Sequence, residues 1–524
     1  MKPLHALRLT VLAASLSLPL LAAHAAAPAG AAPGIAWQEA GADADIEKAF
    51  AQARADKKPV LLYWGAQWCP PCNQLKATLF NRQDFIEQSH AFVAVHIDGD
   101  NPGAQKLGAR FKVRGYPTMI LFSPEGAEIT RLPGEADAPQ VLKVLQLGLA
   151  GGRPIKTVLA DAKVGKKLSA NEWRLLAFYS WETDEQQLVA PIERPGLLAQ
   201  LALASEGVDA ETTTRLWLKS LAASDEGKGI KPDAALLKRV QAVLASPVEA
   251  RAQMDVLSNG AADIVLTLTP EDGAARKALV AQFEGALKRL QADKSLSRAD
   301  QLTALQARID LARLGQPKDT LKPAIPAALV AEARAEAGRA DREVVNGYER
   351  QAVISGAADL LAQVGLWKDS DELLKSSLAK SHSPYYLMSH LGSNARKQGH
   401  KDEALRWYEQ AFDKSEGPAT RLQWGSSYIT ALIELAPQDS QRIEAAASQL
   451  FKEAGRDKGA FYERSARSLQ KVGVKLASWN AGGQNAEALA RLKVQLAGVC
   501  AQVDAADKQR ATCEALIPTT GKKG

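Results

Sequence analysis

Cysteine is scarce in this sequence, with four residues among 524. So low a count excludes a small disulfide-stapled scaffold. Charge of one sign is equally lacking. The 65 Lys plus Arg stand against 59 Asp plus Glu, and the formal net charge of +6 is no electrostatic footprint for nucleic acid. Outside the first segment no apolar run reaches the roughly 18 charge-free residues of a membrane span. The seven His form no ligand pattern and there is no second C-x-x-C, so a four-ligand zinc site lacks its donors. What is present is a chain 46% hydrophobic, long enough for about three or more domains with real cores.

The first 25 residues read as an export signal. Lys2 and Arg8 form a positive start, Leu9 to Leu21 an apolar stretch broken by Pro19, and Ala23-His24-Ala25 a small-residue cleavage site. The alternative is an uncleaved anchor, for which the run is short. Residues 26–39 read as a flexible leader. The expected location is an exported, disulfide-permissive compartment, a bacterial periplasm.

Residues 40–150 alternate element types. Ile46, Ala49, Phe50 and Ala53 recur at helical spacing, and Pro59 ends that helix. Val60 to Trp64 reads as a strand, followed at once by Cys69-Pro70-Pro71-Cys72 and a helix to Leu79. Phe92 to Ile97 and Thr118 to Phe122 read as strands around a helix at 104–111. The turn Glu125-Gly126 makes a hairpin with Glu128 to Leu132, and a helix closes at Ala150. The expected order is αβαβαββα.

From residue 151 strand alternation nearly vanishes and helical periodicity recurs, as in Leu279, Phe283, Leu287 and Leu290. Only Ile264 to Leu268 is ambiguous. We divide this part into an α-helical region at 151–345, helical repeats at 346–455 and a C-terminal helical hairpin region at 456–524. Gly365 and Gly399, Lys380-Ser381 and Lys414-Ser415, and Pro384 and Pro418 each recur at 34 residues. With Leu391-Gly392, Ala395, Ala404, Tyr408 and Ala411, this stretch resembles tetratricopeptide repeats, clearly over 351–418 and loosely over 419–455. The resemblance implies stacked helix pairs whose concave face binds a peptide or protein; a plain helical scaffold is the alternative.

Cys69 and Cys72 sit at a strand-to-helix junction. Disulfide exchange needs an accessible thiolate, and a helix N-terminus stabilises one through its unpaired N–H groups. A second Cys two residues further on can resolve a mixed disulfide by intramolecular attack. Pro71 fits the first helical turn, where a missing N–H costs nothing. Cys69 is thus the expected attacking thiol and Cys72 the resolving one; a zinc site and an inert structural bridge are the rival readings.

Trp68 to Cys72 together with Gly115-Tyr116-Pro117-Thr118 and Gly134 resemble the thioredoxin superfamily, over about residues 40–150. Lys57-Lys58-Pro59-Val60, Thr78-Leu79-Phe80 and Asp84-Phe85 are similar, within it, to the periplasmic C-terminal domain of the transmembrane disulfide reductase. The resemblance implies a cis Pro117 against the cysteine pair, with Trp68, Tyr116 and Pro117 shaping a substrate groove. It also implies protein thiol or disulfide substrates and an upstream redox protein, with no cofactor. Tyr63 stands where ordinary members carry a buried acid for proton transfer. Pro70-Pro71 lacks the His of strongly oxidising members, which favours a reductase.

Cys500 and Cys513 flank Asp504-Ala505-Ala506-Asp507 near the C-terminus. We expect a structural bridge worth ~3 kcal/mol by loop entropy, against a second redox pair. The resulting expectation is an exported thiol–disulfide oxidoreductase, an α/β thioredoxin-like domain followed by a tetratricopeptide-like all-α region. The competing class is an interaction scaffold in which the helices do the work.

Overall fold

The computed structural model describes residues 34–184, 187–224 and 229–518. The export signal and most of the leader therefore lie outside the described residues. From Ile35 onward the described residues form one compact unit.

The first part is a five-stranded mixed sheet. Its strands are β1 (Gln38–Glu39), β2 (Val60–Gly65), β3 (Val93–Asp98), β4 (Thr118–Phe122) and β5 (Glu128–Leu132), in the spatial order β1-β3-β2-β4-β5. β1 and β2 run parallel to β3, while β4 is antiparallel to both β2 and β5. Central β2 (VLLYWG) is buried at every position, as a strand covered on both faces must be. Val60, Leu62 and Trp64 pack with Ile46, Ala49 and Phe50 of helix α1 (Asp43–Asp56). Leu61 and Tyr63 point the other way, into a core shared with α2 (Pro70–Thr78) and α5 (Ala138–Leu149). Helices α3 (Gln83–Ser89) and α4 (Ala104–Arg110) complete this part.

This is a thioredoxin-like α/β fold. The sequence pattern misses two of its elements. β1 lies inside the segment read as a leader, and two residues are too few to leave an alternation. α3 spans only seven residues, with Phe85 and Ser89 its buried positions, so it shows no period.

From Ile155 to Glu514 the described elements are all helices. The ambiguous Ile264–Leu268 stretch is the end of helix Met254–Leu268, which packs on helices Ala210–Ala222, Ala274–Ala292 and Arg298–Ala312; its β-branched residues yield to packing. The core of the α/β part runs on without a break into Ile155, Val158, Trp173, Phe178 and Leu198. Further along, helix Gly347–Gln363 packs on Trp367–Ser377, Pro384–Lys397 on Lys401–Lys414, and Pro418–Leu435 on Ser440–Ala454. Gly392 allows the close approach that the repeat pattern requires: a Cβ there would sit 3.0 Å from the Tyr408 ring. Helix Glu463–Trp479 then packs on Pro418–Leu435, and Ala486–Ala501 on Ser440–Ala454. Among the described residues no helix is long and apolar enough to cross a membrane.

Candidate functional site

β2 ends at Gly65, and the chain turns through Ala66, Gln67 and Trp68 into α2, whose N-cap is Cys69. Its Sγ accepts the Cys72 N–H at 3.3 Å. Capping by sulfur and Pro at the helix start both follow from the vacant N–H groups of a first turn. Cys69 and Cys72 are joined as a disulfide, with Cα atoms 5.3 Å apart. Asn73, fully buried, holds this turn by donating from Nδ2 to the carbonyls of Gln67 and Cys69, both at 2.8 Å. Nothing in the motif announces Asn73; only its place one turn into α2 could have suggested it.

The Tyr116–Pro117 peptide is cis, and the Tyr116 carbonyl oxygen lies 3.7 Å from Cys69 Sγ. Gln105 on α4 donates to the Tyr116 hydroxyl at 2.9 Å and to the Gly99 carbonyl at 2.7 Å. Burial pushes the Tyr116 phenol up, against the pull of Arg464. Tyr63 is buried among Trp37, Phe80 and His96, and its hydroxyl has no hydrogen-bond partner. Burial, aided by Asp98, raises its phenol well above the ordinary range, so it is neutral at any working pH. Asp98, half-buried at the end of β3, is a carboxyl close enough to act on the Tyr63 phenol. Burial raises its pKa, with Lys76 of α2 among the groups that oppose the rise.

The residues farthest from expectation come from the helical region, which lies directly over the cysteine pair. The Trp68 ring stacks on Tyr386 at 5.7 Å and meets Trp424 edge-on at 5.2 Å. Its Nε1 donates to Thr420 Oγ1 at 2.8 Å and to Asp100 Oδ2 at 3.2 Å. Its carbonyl accepts from Gln351 at 3.0 Å. Arg464 pairs with Asp100 at 2.5 Å, and its guanidinium lies 5.3 Å from both the Trp68 and Tyr116 rings. Gln74 of α2 donates to Ser297 at 3.1 Å and to Asp300 at 2.7 Å. Cys69 is in consequence only 3% exposed and Cys72 fully buried. The ready accessibility expected of an attacking thiol is not what this arrangement offers. The reason is that the face of the helical array bearing Gln351, Tyr386, Thr420, Trp424 and Arg464 is occupied by the chain's own Trp68 and α4. A cleft of about 570 Å³ remains beside Cys69, walled by Tyr116 and by helices Pro418–Leu435 and Glu463–Trp479.

Cys500 and Cys513 are also bridged, with Cα atoms 5.6 Å apart, in the apolar core with Leu496 and Leu516. Among the described residues no group of three His, Cys, Asp or Glu side chains could hold a metal ion.

A strand leading into a cysteine-capped helix, facing a cis-proline loop on a mixed sheet, defines a thioredoxin-like domain. Residues 46–148 match the family model described as a thioredoxin-like domain. Within that class the similarity is to the thiol:disulfide interchange protein DsbD. DsbD 2 of Pseudomonas aeruginosa is 32% identical over 126 residues, which is 22% of this chain and 22% of that protein. DsbD of Pseudomonas fluorescens is 33% identical over 104 residues, 19% and 18% of the two chains. A solved thioredoxin from Thermus thermophilus is 27% identical, covering 22% of this chain and 86% of that one, with a TM-score of 0.20. The chain thus spans about a fifth of the length of the curated relatives it matches.

Proposed function

We propose that this protein is a periplasmic thiol–disulfide oxidoreductase working in the reducing direction, with a helical region that governs what reaches its dithiol. Reduced Cys69, as a thiolate stabilised by the start of α2, attacks one sulfur of a substrate disulfide and expels the other as a thiolate. Cys72 then attacks the Cys69 sulfur, releasing the reduced substrate and closing the Cys69–Cys72 bridge. The two electrons are restored by another redox protein's dithiol. Tyr116, Pro117 and Trp68 shape the groove, and Cys500–Cys513 is a staple. The tetratricopeptide-like helix pairs position the partner or substrate. The observation that supports this reading is the Cys69–Cys72 pair at the cap of α2, 3.7 Å from the Tyr116 carbonyl.

One observation favours a second reading, a scaffold: Cys69 is covered by the helices. Turnover of the neutral bis(2-hydroxyethyl) disulfide with dithiothreitol, in wild type and Cys69→Ser, separates them. Loss of activity with Cys69 supports the enzyme, and equal background rates support the scaffold. A Cys69–Cys72 potential near that of strong oxidants, about −120 mV, overturns the reducing direction. Mixed disulfides trapped with Cys72→Ala identify the partners.

A further inference from the structure

The cleft beside Cys69 carries information about the substrate that the cysteine pair does not. Even a transient redox encounter with a protein takes up to roughly 600 Å² of each surface, and here the ground around Trp68 is already taken by Gln351, Tyr386, Thr420 and Trp424. What is left is about 570 Å³, within the roughly 300–1,000 Å³ of pockets that hold small ligands. Its charge is one-sided. Arg114, Arg464, Arg467 and Lys471 line it against the single carboxylate of Glu463. Asp100 pairs with Arg464 from behind and Glu463 holds Arg467 at 2.9 Å, and exposed Lys471 adds a further positive charge at the rim. Arg464 in addition keeps Nε and Nη1 buried without a hydrogen-bond partner, a costly arrangement for a cation. A positive cleft with low-dielectric walls concentrates anions and speeds their encounter.

We propose that the substrate of the Cys69–Cys72 pair is a slender, carboxylate-bearing disulfide whose halves are each of about tripeptide size or smaller, drawn in past Lys471 and Arg467, and not the surface of a folded protein. This rests on the oxidoreductase reading above and keeps its chemistry. Cys69 thiolate forms the mixed disulfide with one half of the substrate, and the other half leaves as a thiolate. Cys72 expels the second half as the internal disulfide forms, two electrons passing from the dithiol, which a dithiol reductant replenishes.

The test uses the full-length reduced protein and four disulfides: glutathione disulfide as the anionic probe, cystamine as the cationic one, bis(2-hydroxyethyl) disulfide as the neutral one, and insulin. Each rate is divided by that of dithiothreitol with the same probe, which removes intrinsic differences. Glutathione disulfide should then exceed cystamine by about tenfold or more, with insulin slowest. The anionic-to-neutral ratio should fall by at least about tenfold in Arg467→Glu/Lys471→Glu, and fall with added salt. Cystamine matching glutathione disulfide, or insulin outpacing it, overturns the proposal while leaving the oxidoreductase reading intact. Failure to react even with the neutral probe sinks both.

Discussion

The contact between the helices and the cysteine pair turns on Asp100 and Arg464, whose side chains are 12% and 14% exposed. Asp100 accepts from Arg464 Nη2 at 2.5 Å, from Thr420 at 2.6 Å and from Trp68 Nε1 at 3.2 Å. Removing one member of a buried pair strands the other charge, at about 3–5 kcal/mol. The small residual exposure puts Asp100→Ala at the low end, about 3 kcal/mol. Arg464→Met leaves Asp100 with two neutral donors and should cost less, about 2 kcal/mol. The double variant should lose little more than Asp100→Ala alone, because each charge is now gone with its partner. The expected coupling is therefore about 2 kcal/mol, roughly thirtyfold in an equilibrium. Denaturant midpoints on the oxidised protein measure the cycle. Alkylation of reduced Cys69 by iodoacetamide measures its consequence, since a looser cover exposes the thiol more often. Asp100→Ala should alkylate at least about tenfold faster than wild type. Single costs that add to within about 0.5 kcal/mol, or an unchanged alkylation rate, would refute the claim that this pair holds the helices over Cys69.

Asn73→Ala removes two hydrogen bonds from a buried turn and should destabilise by about 1–3 kcal/mol, read as a lower midpoint of chemical unfolding; an unchanged midpoint denies it that role. Gly473 lies against the backbone carbonyl of Leu516, where a Cβ has no room. Gly473→Ala should therefore push the C-terminal segment off helix Glu463–Trp479, at about 1–3 kcal/mol or more, detectable as lost protease resistance near the C-terminus. Cys500→Ser/Cys513→Ser should lower stability by about 3 kcal/mol yet retain exchange at Cys69; loss of exchange in a folded variant would make this second pair a redox relay. Asp255 sits in a bidentate, fully interior pair with Arg215 at 2.9 and 2.5 Å. Burial alone raises its pKa, but Arg215 and then Lys219 prevail and hold the carboxyl below its ordinary value. With the folded pKa depressed, its stability is present above the unfolded value of about 3.9 and is lost as pH falls through the folded one. Asp255→Asn should flatten the acid limb of the stability–pH curve, which melting at pH 2 to 5 would check.

How much of this could be read in advance differs sharply between the two halves of the site. Cys69, Cys72 and Pro117 lie in short motifs at element junctions, where residue type and position carry the chemistry, so the α/β fold and one wall of the cleft were legible. Strand β2 announced itself because Val60 to Trp64 is apolar throughout. Strand β1 could not, since it consists of two residues on an edge. The cover over Trp68 is built from Gln351, Tyr386, Thr420, Trp424 and Arg464, each more than 280 positions from Trp68. Along their own helices these residues look like ordinary packing or surface positions. Trp424 reads as a core anchor and is one, donating to the Tyr385 carbonyl at 3.0 Å, but it is also the edge against Trp68. Helical periodicity reports which face is buried, not what buries it.

That the covering face is polar and aromatic, not aliphatic, bears on how such a protein could turn over. An aliphatic seal gains from every Å² withheld from water and would hold the dithiol shut. Trp68 is instead held by a stacked Tyr386, a hydroxyl from Thr420, an amide from Gln351 and the Asp100–Arg464 pair. Most of these groups exchange one another for water at small net cost when the surfaces part. The ion pair, well formed but desolvated, fixes the register of closure more than its strength. On the function proposed above, a protein dithiol that recharges Cys69–Cys72 would have to reach the same sulfur as the substrate and its bulk would require the helices to move, whereas a small disulfide would need only the cleft. The two half-reactions would then use two states of one chain: an open state met by the donor and a closed state met by the substrate, so that the donor's own disulfide does not compete for the freshly reduced thiol.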